Sequence, residues 1–147
     1  MRNNNLATHL NMRRITRLAA KMKHVQQWNV GKKIQEKREK LGISKREAAR
    51  RAGISEAWWR QLENGYITTG GEQKMITIPV ETVAQMMWAV GINAITLLDD
   101  LNEAGYAATE EQLLRGTIQA RLATMNLAGL RITSSFLDSV AQNKSYL

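Results

Sequence analysis

The sequence contains no cysteine, only two histidines and a single proline in 147 residues. Without cysteine the chain has no disulfide, no thiolate nucleophile and no cysteine-ligated zinc site. The two histidines, His9 and His24, lack the spacing of metal ligands, so metal catalysis is disfavoured. Because helix interiors exclude proline and few β-branched residues alternate along the chain, the isolated Pro79 favours an all-α protein.

Long hydrophobic runs are also absent. No segment approaches the roughly 18 apolar residues that a membrane span needs, and no signal-peptide core is visible. We therefore expect a cytoplasmic protein with no membrane partner. We find no nucleophile–base pair, phosphate loop or metal-binding set, so we expect no enzymatic activity, no cofactor and no small-molecule substrate.

Positive charge is abundant, but it is concentrated in one part of the chain. The formal net charge is +8. Residues 1–65 hold 16 Lys and Arg against 5 Glu, a balance of +11, whereas residues 66–147 hold 5 against 8, a balance of −3. This asymmetry indicates a polyanion-binding half. The alternative is a set of solvated helix faces.

The first part of the chain has the pattern of basic amphipathic helices. In residues 6–27 apolar side chains recur every three or four positions among basic ones. Asn29 and Gly31 predict a break or a restart, because asparagine caps helices and glycine costs about 1 kcal/mol inside one. The next helix, residues 30–41, should end at Gly42.

Two short helices with a tight turn between them follow. A capping box at residues 44–47 predicts the start of the first helix. Gly53 provides a left-handed turn that other residues resist. Ser55 then caps a second helix, residues 56–63, and this helix–turn–helix pattern is the decisive local signal.

The remainder predicts further helices. Residues 66–78 indicate a loop or a small hairpin, and Pro79 suits the first turn of the next helix. A further helix should end near Gly105, and a second capping box at residues 109–112 opens another, which Gly129 breaks before a last helix. The predicted apolar side of the helix after the second capping box consists of Leu113, Leu114, Ile118, Leu122 and Met125.

Residues 30–101 resemble the phage repressor, Cro and Xre type of helix-turn-helix DNA-binding domain. The resemblance lies in GISKREAARRAGISEAWWRQLENG, residues 42–65, and in IPVETVAQMMWAVGI, residues 78–92. The matching positions are Ala49, Gly53, Ile54, Trp59 and the run Leu62-Glu63-Asn64-Gly65. The resemblance implies a five-helix bundle like that of lambda repressor. We therefore expect three regions in the chain. They are a basic N-terminal helix or arm at residues 1–29, a DNA-binding domain at residues 30–105 and a C-terminal helical region at residues 106–147.

The resemblance also implies site residues, with the helix of residues 55–63 in the major groove. The positions for base readout are Glu56, Ala57, Arg60 and Gln61. The positions for backbone or mixed contacts are Lys45, Ser55 and Asn64. Beyond the resemblance, the positions and charges of further residues suggest the same kind of contact for Trp58, Thr68, Lys74, Arg13, Arg14, Arg17 and Lys21. The structural positions are the ion pair of Arg38 and Glu63 together with Ala49, Gly53 and Trp59. Lys45 departs from the glutamine that the family usually has at its position.

Several alternatives stay open. Glu56, Arg60 and Gln61 would also suit the solvent face of any short amphipathic helix. Trp58 either packs beside the Tyr66 loop or lies on the sugar–phosphate backbone, and the loop of residues 66–78 either contacts phosphates or braces Trp58. The basic leader lies along DNA, enters the minor groove, or docks its apolar stripe on the bundle. Residues 106–147 form a homo-oligomer, bind a partner protein, or extend the core.

The function implied is a sequence-specific, double-stranded DNA-binding transcriptional repressor that resembles a phage immunity repressor. It would act in a prokaryotic or phage-infected cytosol. The alternatives are an antitoxin-type or recombination-control DNA-binding protein, or a protein-interaction adaptor on the same fold.

Overall fold

The computed structural model describes residues 4–76 and 78–143, and these residues are mostly helical. The helices are α1 (Asn4–Lys40), α2 (Lys45–Ala52), α3 (Glu56–Asn64), α4 (Val80–Ala89), α5 (Leu98–Glu103), α6 (Glu110–Thr124) and α7 (Leu127–Gln142). A short 3₁₀ turn, Ala94–Leu97, precedes α5, and a hairpin of β1 (Tyr66–Thr69) and β2 (Glu72–Met75) lies between α3 and α4. The predicted all-α class is confirmed, with the hairpin as a small addition.

Helix α1 is continuous from Asn4 to Lys40, so the predicted break at Asn29 and Gly31 is wrong. Gly31 instead lies where α1 crosses α3, and a Cβ there would be 2.7 Å from the carbonyl oxygen of Leu62. Glycine therefore lets the two helix backbones approach closely without ending α1. At 1.5 Å per residue, the 37 residues of α1 span about 55 Å.

The apolar stripe of the basic leader does not pack on the bundle where its side chains are described. Met12, Ile15 and Leu18 are each more than 60% exposed. For Ile15 and Leu18, which belong to the predicted stripe, the docking alternative is wrong. Among the described residues, α1 packs on α3 through Gly31, and Ile34 is buried.

The core is built between α2, α3, α4 and α6 and closed by the end of α1 and by α5. The largest fully buried side chains are Trp59, Ile34, Leu62, Met86, Leu101, Leu113, Val83 and Val90. Helix α2 enters this core through Ala48, Ala49 and Ala52, whose small side chains allow close helix packing. The Gln85 side chain of α4 donates to the carbonyl of Ala52 at 3.1 Å and satisfies the end of α2.

Helix α6 packs tightly on α4. A Cβ at Gly116 would clash with the carbonyl oxygen of Glu81 and would be 2.8 Å from the Cβ of Ala84. Leu113 and Ala120 are buried on the same side of α6, and the guanidinium of Arg121 lies 4.7 Å from the ring centre of Trp88. The first helix of the predicted C-terminal region therefore extends the core.

The predicted apolar side of α6 is wrong in part, because Leu114, Ile118 and Met125 are exposed. The helix docks on α4 at Gly116 and Ala120, with Leu113 buried on the same side, whereas Leu114 and Ile118 face outward. The chain leaves α6 at Met125, and Asn126 caps α7 by accepting from the amide of Gly129 at 2.9 Å. Gly129 thus lies in the first turn of α7, and the predicted helix break there is wrong.

The segment after α3 forms the hairpin that was one of two predicted alternatives. Its register pairs Tyr66 with Met75 and Thr69 with Glu72. Gly70 and Gly71 make the two-residue turn with φ of 60° and 82°, the conformation that a tight hairpin turn requires. The amide of Ile76 donates to the carbonyl of Gly65 at 3.3 Å, so the base of the hairpin is attached to the end of α3.

Candidate nucleic-acid interface

The helix–turn–helix is formed by α2, Gly53 and α3. Gly53 has φ 71°, and its amide donates to the carbonyls of Ala49 and Arg50, which ends α2. The Ser55 hydroxyl accepts from the amide of Trp58 at 3.1 Å and starts α3. Gly65, with φ 77°, ends α3. The predicted caps at Gly53, Ser55 and Gly65 are present, and they fix the direction of α3 relative to α2.

Helix α3 separates a buried side from an exposed side. Trp59, Leu62 and Glu63 are buried, whereas Ala57, Arg60 and Asn64 are exposed and Glu56 and Gln61 are half-buried. With about 100° between successive residues, these five polar or small residues fall within one arc of about 140°. The structure therefore brings the four residues predicted to read bases onto one accessible face, together with Asn64.

Two of these residues are paired with each other. The Arg60 guanidinium donates to the Glu56 carboxylate at 2.5 Å, one helical turn away. Both side chains are partly exposed, so the pair is of the exposed class that contributes at most about 1 kcal/mol. Contact of either side chain with a base therefore requires only that a weak pair opens.

A buried ion pair holds α3 against α1. Arg38 donates to both carboxylate oxygens of Glu63, at 2.6 and 3.2 Å, and its third nitrogen donates to the carbonyl of Ile43 at 3.0 Å. The indole of Trp59 donates to the same carboxylate at 2.7 Å. The ion pair expected from the sequence is present, and the carboxylate has several donors, as a buried charge requires.

Lys45 lies beside Glu63, a contact that the sequence did not predict. Its ammonium lies 3.5 Å from the second carboxylate oxygen of Glu63, so it belongs to the buried cluster. Contact of Lys45 with DNA stays a prediction. Its neighbour Arg46 is exposed and makes no ion pair with any described residue. Arg46 is a candidate DNA-binding residue that the sequence analysis missed. Its position on α2, away from the buried alanines, could have indicated from the sequence that it is exposed.

Glu47 forms a separate network on the outside of α2. The Ser44 hydroxyl accepts from its amide at 3.1 Å, as a capping box predicts. Its carboxylate, however, accepts from Arg50 at 2.8 and 2.9 Å and from Arg51 at 2.8 Å, so it does not complete the box. These hydrogen bonds from Arg50 and Arg51 lower the pKa of Glu47 to about 2 and raise the pKa of Arg50.

Trp58 and the hairpin flank the exposed side of α3. Trp58 is half-buried, and part of its ring packs against the hydrophobic core. Thr68 and Lys74 are exposed on β1 and β2. Contacts of these three residues with the sugar–phosphate backbone stay predictions.

The basic leader presents Arg13, Arg14 and Arg17 on the exposed surface of α1. None of the three forms an ion pair with another described residue. The side chain of Lys21, also predicted to contact DNA, lies outside the described residues. Residues 11–18 of α1 therefore offer three accessible cations within one helical segment.

Other kinds of site are not found in the described part of the chain. No group of three or more His, Asp or Glu side chains there is placed to hold a metal ion. No helix among the described residues combines the length and hydropathy needed to cross a membrane.

Comparison with known families gives one match. Residues 29–91 match the family model described as "Helix-turn-helix domain". The match covers the end of α1, the motif, the hairpin and α4, and it supports a DNA-binding regulator in general. No curated protein matches the chain, and no solved structure matches it.

Proposed function

We propose that this chain is a sequence-specific, double-stranded DNA-binding transcriptional repressor of the phage repressor, Cro and Xre type. The observation that carries the proposal is the exposed arc of α3. It presents Ala57, Arg60 and Gln61 at the end of a capped helix–turn–helix whose orientation is fixed by the buried pair of Arg38 and Glu63. In such domains the second helix lies in the major groove.

The roles on this face follow from base chemistry. Gln61 suits bidentate pairing with adenine, Arg60 suits guanine or a phosphate, Glu56 accepts from cytosine N4, and the Ala57 methyl meets a thymine methyl. Ser55 and Asn64, at the two ends of α3, are proposed for backbone contacts.

The first experiment measures binding to cognate DNA as a function of salt. Cognate sites are first obtained by selection from random duplexes, which also shows whether the site is an inverted repeat. Log affinity should fall by about 0.9 per unit of log salt for each phosphate neutralised. Affinity that stays constant between low and high salt would overturn DNA binding as the function.

A second experiment tests base readout at Gln61. Gln61→Ala should cost about 1–3 kcal/mol on the selected site and little on random DNA. Gln119→Ala, the same change at an exposed position of α6, is the control and should leave both affinities unchanged. Equal losses on selected and random DNA for Gln61→Ala would assign Gln61 to positioning only.

The basic leader is proposed to lie along the DNA backbone or in the minor groove. Arg13→Ala, Arg14→Ala and Arg17→Ala together should reduce the salt slope by about 0.9 for each phosphate that these arginines neutralise. The preference for the selected site over random DNA should be kept, because phosphate contacts carry no sequence information.

A repressor of this type, resembling a phage immunity repressor, would act in a prokaryotic or phage-infected cytosol, and a homo-oligomer would form through the C-terminal region. The second candidate is a protein-interaction adaptor on the same fold, which is favoured by the near-neutral, apolar surface of α6 and α7. Absence of any selected DNA site would favour the adaptor.

A further inference from the structure

The exposed arc of α3 carries one acid among residues that suit DNA. It consists of Glu56, Ala57, Arg60, Gln61 and Asn64, and Glu56 alone has a carboxylate. A carboxylate beside a DNA backbone lowers the affinity for every duplex, because it repels the phosphates. The position of Glu56 within the proposed interface therefore costs affinity that a gain in specificity would offset.

The partner of this acid is the cation of the same arc. Oε1 of Glu56 accepts from Nη2 of Arg60 at 2.5 Å, and Arg60 forms no ion pair with any other described residue. The side chains of Glu56 and Arg60 are 35% and 60% exposed, so DNA can reach both of them. Arg60 is thus already occupied by an anion before a DNA phosphate approaches.

A phosphate gains little from this arrangement. When a phosphate takes Arg60, one anion replaces another on the guanidinium, and the Glu56 carboxylate is left beside the DNA without a partner. The phosphate has no donor for that carboxylate and repels it. Contact with random DNA therefore separates the pair without compensating both of its members.

A suitable base pair compensates both members. Guanine accepts from arginine at O6 and N7, and cytosine donates to a carboxylate from N4. A guanine within reach of Arg60 and a cytosine amino group within reach of Glu56 thus provide a partner for each side chain once the pair opens. The pair therefore favours such a site over a phosphate contact.

We propose that Glu56 is a specificity-determining residue that acts through Arg60. It withholds the guanidinium from phosphates and releases it to a guanine that has a cytosine amino group nearby. This inference rests on the proposed function, because it concerns the same face of α3. It adds that the two residues read DNA as one unit, with a lower affinity for random duplexes as the result.

A local role of Glu56 has to be separated from this one. An acid in the first turn of a helix interacts favourably with the helix dipole, and Glu56 is the first residue of α3. That role needs the charge but no contact with Arg60. Glu56→Asp keeps the charge and shortens the side chain by one methylene, so it distinguishes the two roles.

The test compares the dissociation constants for the selected site and for a random duplex of equal length at one low salt concentration. Glu56→Gln should tighten binding to random DNA about fivefold, the factor for one exposed ion pair, and weaken binding to the selected site. Glu72→Gln is the control, since Glu72 is an exposed acid of the hairpin without an ion pair to a described residue. It should change both constants by the same factor. Equal factors for Glu56→Gln would overturn the proposal.

A double-mutant cycle tests the coupling between the two residues. In the Arg60→Gln chain, which lacks the cation, Glu56→Gln should lower the ratio of selected to random affinity by a much smaller factor than in the wild-type chain. Glu56→Asp should lower this ratio in the wild-type chain, whereas a helix-dipole role predicts no change. Circular dichroism checks that each variant is folded. The same factor in both backgrounds, or a ratio unchanged by Glu56→Asp, would contradict the coupling.

Selection from random duplexes, repeated with the Glu56→Gln chain, separates failure of this inference from failure of the proposed function. The preference for guanine and cytosine should relax at one or two neighbouring base pairs and be kept elsewhere in the site. A wild-type chain that selects no site would overturn the proposed function. If the wild-type chain selects a site and the Glu56→Gln chain selects the same one with the same base preferences, the coupled reading alone is wrong.

Discussion

Glu63 is the residue on which the orientation of α3 depends. Its carboxylate accepts from Arg38 and Trp59 and lies 3.5 Å from the Lys45 ammonium, while it is only 2% exposed. Replacing one member of such a cluster leaves the others buried without their counter-charge. The cluster therefore fixes the relative positions of α1, α2 and α3.

The first prediction concerns this cluster. Glu63→Gln should lower the free energy of unfolding by about 3 kcal/mol, because the buried Arg38 guanidinium loses its buried counter-charge and keeps only the exposed carboxylate of Glu39, at 3.5 Å. Urea unfolding followed by tryptophan fluorescence measures the change. Glu111→Gln, which removes the carboxylate of the exposed pair with Arg115, is the control and should cost less than about 1 kcal/mol. Similar losses for the two variants would contradict the importance of the buried pair.

The second prediction concerns the acid dependence of stability. The pKa of Glu47 is lowered from 4.5 to about 2 by hydrogen bonds from Arg50 and Arg51. The folded state therefore binds this proton less readily than the unfolded state. The contribution of Glu47 is fully present above about pH 4.5 and is lost as the pH falls towards 2.

Glu47→Gln should therefore make the loss of stability between pH 5 and pH 2 less steep. Thermal unfolding at several pH values measures this dependence, and titration of the Glu47 side chain by NMR gives the pKa directly. Glu36→Gln, at an exposed position without an ion pair to a described residue, is the control. An ordinary pKa for Glu47 would contradict the network seen around it.

At the scale of elements, two glycines in helices have different roles. Gly116 lies where α6 meets α4, and a Cβ there would clash with the carbonyl oxygen of Glu81. Gly129 lies in α7, where a Cβ would find its nearest neighbours at 3.5 Å, an ordinary contact distance. The same substitution should therefore have opposite effects at the two positions.

The third prediction follows from this difference. Gly116→Ala should destabilise the protein by about 1–3 kcal/mol, since the two helices must move apart. Gly129→Ala should be neutral or stabilise α7 by up to about 1 kcal/mol, because alanine favours helix. Chemical unfolding of both variants checks the pair. A stabilising Gly116→Ala would show that α6 does not pack on α4 as described.

The helices also show which of their boundaries could be predicted from the sequence. Caps at Ser44, Ser55 and Thr109 started helices where they were expected, because a cap acts within one turn of chain. The sequence positions of Gly31 and Gly129 predict helix breaks, but both residues lie inside helices. At Gly31 the local cost of about 1 kcal/mol is offset by the close packing of α1 on α3, whereas Gly129 lies in the first turn of α7, where its amide donates to the Asn126 cap.

At the scale of the whole molecule, α6 belongs to the DNA-binding bundle, whereas α7 contributes no buried residue. Leu113 and Ala120 are completely buried, and a Cβ at Gly53 in the helix–turn–helix would be 2.7 Å from the Cβ of Ala123. The core that holds the motif therefore extends past residue 105.

The fourth prediction tests this boundary with two shortened chains in dilute solution. A chain ending at Asn126 should keep cooperative unfolding and lose less than about 1 kcal/mol, since none of the described residues after Asn126 is buried. A chain ending at Gly105 should lose cooperative unfolding, because α2 and α4 then expose the surfaces that α6 covers. Thermal unfolding by circular dichroism distinguishes them. A stable chain ending at Gly105 would support a separate C-terminal domain.

The candidate site was predictable only in part. The register of α3 follows from Trp59 and Leu62, so the exposed arc with Arg60 and Gln61 was available from the sequence. The position of Lys45 beside Glu63 could not be predicted from the sequence, because it depends on how α2 lies against the end of α3. The ion pair between Arg60 and Glu56 depends only on spacing within one helix.

The sequence by itself determined what is local: the caps, the turn at Gly53, the helix–turn–helix pattern, the glycine hairpin turn and the uneven distribution of charge. These features depend on interactions within a few residues or on composition alone. Only the tertiary structure decided that α1 is continuous, that α6 docks through Gly116 and Ala120, and that Leu114 and Ile118 face outward. An apolar pattern shows which residues can be buried, but the fit between helix surfaces selects those that are.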